Sequence, residues 1–306
     1  MSLALLFPGQ GTQHPAMLEW LDTRPEAAGT LALMAAELGS DWRTHLGDED
    51  WSSRNRVAQW LLTGVCVGAW QSVAGLLPAP SVVAGYSIGE LPAFYAAGVF
   101  DAGAALELAR QRAEAMELTV AGIDTGLLAI TGVGTDAVER ACLRHGLAIA
   151  IELAADRRVL GGRGADLDRA AIELTQSGAQ CRRLAVRLAS HTPWMAGAVT
   201  DFAQRAKSVA FAIPRAALVC NFTGAVVRRP EELRTSLSGQ LARAVPWARC
   251  MEAVAERRPR CVLEVGPGSS LSKLWNERFP AIPSRSVDEF RGPDAVASWV
   301  AGVIDR

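Results

Sequence analysis

The chain has 306 residues, of which 50% are hydrophobic and 21% charged, and its net charge is −1. This composition excludes a disordered chain, and the near-zero charge excludes a protein that gathers nucleic acid by its overall field. The cysteines at 66, 142, 181, 220, 250 and 261 form no C-x-x-C pair, so they read as reduced thiols of a cytoplasmic protein rather than a disulfide framework.

MSLALLFPGQ lacks a basic leader region and reaches Pro8 too soon for a signal peptide. Leu3 to Phe7 predicts a short buried strand running into the glycine loop PGQG. Residues 26–38 and 54–77 have helical composition, and SVVAG at 81–85 reads as a second buried strand. From Ile88 to Ala97 the pattern turns helical, with Pro92 tolerable in a first turn. The apolar stretch 81–100 contains Glu90 and Pro92 and is therefore a strand and helix, not a membrane span. Residues 101–118 predict a helix with Asp101 as N-cap.

The texture then changes. A strand at 126–133, a helix at 135–146 ending on Gly146, two strands within 147–162, a helix at 165–179 and a last strand at 181–189 give the order βαββαβ of a ferredoxin-like unit. A helix at 193–209, a strand near Ala217–Asn221 and a helix near 231–257 follow. CVLEVGPG at 261–268 repeats the strand-to-glycine-turn theme. The fold class is α/β, with the βαββαβ unit inserted into a larger α/β domain.

Gly85, Ser87 and Gly89 form a G-x-S-x-G pattern between a predicted strand and a predicted helix, the context of a nucleophile elbow. The pattern alone is common, and the flanking elements are what raise it above an ordinary loop serine. In an elbow the backbone N–H of Ile88 is available to an oxyanion. A serine hydroxyl needs a base. Of the four histidines, His145 lies at a helix end, His45 in a polar Trp-rich region, and His14 after a glycine loop. His191 lies in LASHTPWM at a strand end, where α/β proteins collect their sites, and is the favoured partner. No triad acid is evident: Asp201 lies on a helix facing away, and a backbone carbonyl is the other means of orienting an imidazole. Arg110 and Arg112 are two apart on a helix and point in different directions, by default into solvent. Gln10, in FPGQG, is either a loop polar residue or part of a backbone-donor loop. No zinc-ligand spacing and no phosphate-loop or dinucleotide glycine motif is present, so no metal and no bound cofactor are expected.

Taken together, FPGQGTQ (7–13), GYSIGE (85–90), RQRAEAM (110–116), SHTPWM (190–195), QLARAVPW (240–247) and EVGPG (264–268) resemble the malonyl-CoA:acyl-carrier-protein transacylases, in order and over almost the whole chain. The resemblance implies an α/β-hydrolase-like large domain, residues 1–121 and 191–306, with a ferredoxin-like small domain at 122–190. It implies Ser87 as nucleophile, His191 as base, Gln240 as the residue whose main-chain carbonyl orients the histidine, and Gln10 and Ile88 as oxyanion donors. Arg112 would pair with the free carboxylate of malonyl. Malonyl-CoA would be the substrate and an acyl carrier protein the partner, with no permanently bound cofactor, no nucleic acid and no membrane involved.

Within the family, Tyr86 where the fatty-acid enzymes have histidine, IELAADRR (151–158) and the tail RSVDEFRGPDAVASW (285–299) look like the epsilon subunit of bacterial malonate decarboxylase, which loads a dedicated carrier subunit. Transacylases of fatty-acid or polyketide synthesis are the alternative. An α/β esterase and a non-catalytic assembly subunit are the rivals from other classes. Arg182, Arg183 and Arg187, or the RRPR cluster at 257–260, are candidates for docking an acidic carrier, against the plainer reading of solvated arginines.

Overall fold

The computed structural model describes residues 2–305. Two sheets organise them. The larger has six strands: β1 (Leu3–Phe7), β2 (Pro80–Gly85), β7 (Ala217–Cys220), β8 (Ala225–Val227), β9 (Cys261–Glu264) and β10 (Ser284–Ser286). Their order is β10-β9-β1-β2-β7-β8, parallel except for β8, which returns antiparallel to β7. The smaller sheet holds β3 (Thr125–Thr131), β4 (Ala148–Ala154), β5 (Arg157–Arg163) and β6 (Gln180–Arg183) in the antiparallel order β4-β5-β3-β6. With the helices Thr135–His145 and Gly164–Gln176 between them, these strands form the βαββαβ ferredoxin-like unit.

The continuous apolar runs of the large sheet follow from its burial on both faces. In β1, Leu3, Leu5 and Phe7 enter one core while Ala4 and Leu6 enter another, as a side-chain period of two requires. Val83 of β2 joins the first core, and Val82 and Ala84 join the second. The first core is covered by the helices Asn55–Ala74 and Ala102–Thr119, the second by Trp247–Ala255 and Ser270–Arg278. Asp101 caps its helix, accepting the Ala104 N–H at 2.8 Å, and Gly146 ends another at φ 65.

Three expectations change. The strand expected at 181–189 stops at Arg183, which pairs with Leu128 of β3; one further bond, from Leu184 N to Leu127 O at 3.0 Å, follows before the chain leaves the sheet. Beyond it Val186 and Leu188 turn into the core of the larger unit. The single helix expected near 231–257 is two, Pro230–Gly239 and Trp247–Ala255, separated by a short 3-10 turn and Pro246, which has no N–H to continue a helix. Strands β8 and β10, three residues each, were below what periodicity resolves.

The two sheets are joined at this break. Val245 lies beside β4, donating to Ala150 O and accepting from Glu152 N, each at 2.9 Å. On the large sheet, β1 continues to β2 on one side and is flanked by β9 on the other. The loops after β1, β2, β7 and β9 therefore leave the carboxyl ends of adjacent parallel strands, where an open α/β sheet forms its crevice.

Candidate active site

Ser87 follows β2 and opens the short 3-10 turn Ser87–Gly89 before the helix Glu90–Ala96. Its φ is 56, in the left-handed region that L-residues rarely occupy. Both flanking glycines are required by close backbone approach. A Cβ on Gly85 would stand 2.0 Å from Gly89 O, and one on Gly89 would stand 2.3 Å from Phe7 O. The G-x-S-x-G spacing is thus a steric condition for a sharp turn packed onto the end of β1.

His191 also has a positive φ, 63, and is buried. Ser87 Oγ lies 2.7 Å from His191 Nε2, and His191 Nδ1 lies 2.7 Å from the Gln240 carbonyl oxygen. A carbonyl only accepts, so Nδ1 carries the proton, Nε2 is bare, and Ser87 Oγ–H donates to it. The Gln240 carbonyl is available because the expected long helix breaks there. The adjacent Leu241 carbonyl accepts the His191 backbone N–H at 2.7 Å, so one turn fixes both ring and main chain. Asp201 has no part in this: both its oxygens are 3.0 Å from Arg205 Nε. Burial, then the Arg112 charge, pull the His191 pKa down to about 3, against the opposing effect of the Gln240 carbonyl.

Arg110 and Arg112 diverge as their spacing requires. Arg110 stays near the surface with Glu107 and Glu114. Arg112 is only 2% exposed. Its Nη1 donates to Gln59 Oε1 at 2.8 Å, while Nε and Nη2 have no partner among the described residues. Burial lowers its pKa to about 10, which leaves the guanidinium charged at neutral pH. A buried cation with two idle donors is costly unless an anion completes it.

Gln10 lies in the loop after β1, its side chain donating to Ser53 O at 3.2 Å. Its backbone N–H has no acceptor among the described residues. The loop is held against the elbow: Tyr86 N donates to Phe7 O at 2.9 Å, and a Cβ on Gly9 would lie 2.6 Å from Tyr86 Cδ1. The Tyr86 ring meets Trp247 edge-on, with centroids 5.1 Å apart and planes at 80°. Tyr86 is therefore a packing wedge between the Gln10 loop and Trp247, and burial pushes its phenol pKa up. Ile88 is buried on the turn. The Ser87 N–H is already taken by Asn221 Oδ1 at 2.8 Å, leaving the Ile88 N–H as the next one on the turn.

Three residues were missed at the sequence level. Gln59 carries a signal in hindsight, as a lone amide in the apolar run of its helix. Asn221 has a weaker one, a polar residue closing a buried strand. Asp288 has none. It accepts from Leu18 N at 2.9 Å, Gly268 N at 2.6 Å and His14 Nε2 at 2.6 Å, tying the tail to the loops after β1 and β9. His14 is thereby a structural partner of Asp288. His145 pairs with Glu173 at 2.8 Å and His45 with Asp41 at 3.3 Å, both away from Ser87. Among the described residues no cluster of three metal-ligating side chains occurs, and no helix is long and apolar enough to cross a membrane.

Residues 4–285 match the family model of the acyl transferase domain. The chain is 32% identical over 302 residues to the malonyl CoA-acyl carrier protein transacylase of Mycobacterium tuberculosis, covering 97% of this chain and 99% of that one. It is 27% identical over 306 residues to the enzyme of the same name from Escherichia coli, covering 96% and 97%. Among solved structures, MCAT from Mycobacterium tuberculosis superposes with a TM-score of 0.88 at 30% identity, over 97% of this chain and 100% of that one. A malonyl-transacylase solved in complex with a type II PKS acyl-carrier protein superposes with a TM-score of 0.88 at 26% identity over 100% of both chains.

Proposed function

The chain belongs to the acyl transferase domain family, and we propose that it moves malonyl from malonyl-CoA to the thiol of an acyl carrier protein through an ester on Ser87. The observation that carries this reading is Arg112, a buried guanidinium with two idle donors that also acts electrostatically on the Ser87–His191 pair. Malonyl differs from acetyl by one carboxylate, and a planar guanidinium offers that group two parallel hydrogen bonds.

The chemistry follows from the tautomer. His191 Nε2 takes the Ser87 proton as Oγ attacks the thioester carbonyl, and the oxyanion rests on the backbone N–H groups of Gln10 and Ile88. The C–S bond breaks, His191 returns the proton to the departing CoA thiolate, and malonyl remains as an ester. The carrier thiol then gives its proton to Nε2 and attacks that ester, and Ser87 recovers the proton as it leaves. The Gln240 carbonyl keeps Nδ1 protonated throughout, in the role an aspartate has in a Ser-His-Asp triad. In this reading residues 122–190 are the inserted small domain, bridged to the large one beside β4 by Val245.

The rival classes fare worse. Asp201 is committed to Arg205, and a buried anion site suits a malonyl transferase better than a general esterase. The intact Ser87–His191 hydrogen bond has no use in a purely structural subunit.

A base whose pKa has fallen from 6.5 to about 3 is ready well below neutrality. The acylation kcat/KM for malonyl-CoA is therefore expected to stay level as pH falls through 6.5. An acid limb centred near 6.5 in a stopped-flow pH series would contradict it. The stability contribution of this group has the matching sign. It is fully present above the unfolded value of 6.5 and is lost as pH falls from there towards about 3.

For the carrier, the relatives are named for an acyl carrier protein, in one case that of a type II PKS, which favours a biosynthetic carrier. The carrier subunit of malonate decarboxylase is the second reading, favoured by Tyr86 and the segment 151–158. Transfer rates from the malonylated enzyme to each carrier separate them. The expected result is a higher kcat/KM for the biosynthetic acyl carrier protein, and the reverse order assigns the chain to malonate breakdown.

A further inference from the structure

Asn221 follows β7 and is fully buried. Its side-chain amide spans the elbow: Oδ1 accepts the Ser87 N–H at 2.8 Å, and Nδ2 donates to Gly85 O at 2.6 Å. Its own backbone N–H donates to Glu90 Oε1 at 2.7 Å. Glu90 is fully buried at the start of the helix that the elbow feeds. The chain thus closes a ring of three hydrogen bonds from Gly85 through Asn221 to Ser87 and, by the Asn221 main chain, to Glu90.

Asparagine suits this position by elimination. A carboxamide of this length offers one acceptor and one donor side by side, matching the Ser87 N–H and the Gly85 C=O. An ionised aspartate has no donor, a leucine has neither group, and a glutamine is one methylene too long. The need is equally specific, because Ser87, a non-glycine residue at φ 56, holds a strained conformation that surrounding bonds must enforce.

Resting on the reading of Ser87 as nucleophile, we infer that Asn221, anchored by Glu90, is the positioning residue of the elbow, holding Ser87 in its left-handed conformation so that Oγ meets His191 Nε2. Glu90 acts here as a hydrogen-bond acceptor rather than as a charge. Its Oε2 is buried without a partner, and burial raises its pKa to about 8 against the opposing effects of the Asn221 N–H and Arg112. A glutamine at 90 retains the one acceptor the Asn221 N–H uses.

The test is single-turnover acylation by malonyl-CoA, with the substrate concentration dependence and a thermal melt on each variant. Asn221→Ala is expected to fold and to acylate about a hundredfold more slowly, the loss that a displacement of roughly 1 Å at a reacting atom brings, with half-saturation by malonyl-CoA within about twofold of wild type. Glu90→Met, which keeps volume and removes the acceptor, is expected to lose about tenfold in rate in the same pattern, while Glu90→Gln stays within about twofold of wild type. The Glu90 pair carries the test if Asn221→Ala does not fold. A folded Asn221→Ala enzyme that acylates at the wild-type rate overturns the inference and leaves the malonyl reading standing. So does a Glu90→Gln enzyme as slow as Glu90→Met. Wild-type enzyme that does not acylate overturns the malonyl reading itself, and this inference with it.

Discussion

Ser87→Ala is expected to eliminate acyl-enzyme formation from malonyl-CoA, with no malonyl recovered on the protein at any incubation time. Among the described residues the Ser87 hydroxyl is the one hydrogen-bond partner of the bare His191 Nε2, at 2.7 Å. His191→Ala is expected to fall nearly as far, because the pair acts as a unit. In serine enzymes of this kind, loss of either member costs about 10⁶ in kcat. Labelling with radioactive malonyl-CoA and counting protein-bound label measures both. Persistent labelling of Ser87→Ala would remove the serine from the mechanism.

Arg112→Ala is expected to reverse the choice of acyl group. With the guanidinium gone, the malonyl carboxylate is buried without a partner, at a cost on the order of 3–5 kcal/mol. That corresponds to a loss of about 10²- to 10³-fold or more in kcat/KM for malonyl-CoA. Acetyl-CoA leaves the idle donors idle in either enzyme, so its kcat/KM should hold or rise. Arg112→Lys should recover little, since one ammonium cannot both keep the Gln59 contact and present a planar pair of donors. Parallel kcat/KM measurements with the two thioesters decide it. An equal loss for both would mean that Arg112 supports the fold and not the acyl group.

The sequence revealed the frame well and the supporting contacts poorly, for physical reasons. Buried parallel strands are continuous apolar runs, and LALLF, SVVAG and CVLE are legible because both their faces lie in cores. The small domain was legible because its two helices carry a clear apolar face and end on recognisable turns. The long helix assigned near 231–257 failed where it mattered most. Pro246 signalled an end, but the 3-10 turn at Gln240–Ala242 has no such mark, and it is this turn that frees the Gln240 carbonyl for His191. Ser87, His191 and Arg112 were found through motifs. Gln59 and Asn221 act by hydrogen bonds between segments far apart in the chain, and no local pattern encodes a partner 53 or 134 residues away.

Tyr86 changes meaning on the same grounds. As a letter in GYSIGE it only separated this chain from enzymes with histidine there. In the fold it fills the space over Gly9 and meets the buried Trp247 edge-on, so the loop bearing Gln10 is seated on its ring. Trp247 in turn follows the Val245 bridge to the small sheet. Tyr86 therefore joins the large sheet and the Gln10 loop to the segment that carries the Val245 bridge, an edge-on aromatic contact contributing about 0.5–1.5 kcal/mol beyond area burial.

The central claim is that malonyl rests on Ser87 and leaves to a thiol rather than to water. The most direct measurement incubates the enzyme with malonyl-CoA alone, maps the adduct by peptide mass spectrometry, and then adds carrier protein. The account predicts one malonyl ester on the peptide containing residues 84–91, stable against water over many turnovers and discharged onto the carrier thiol on mixing. An adduct on another residue, or release of free malonate and CoA at the same rate with and without carrier, would contradict it.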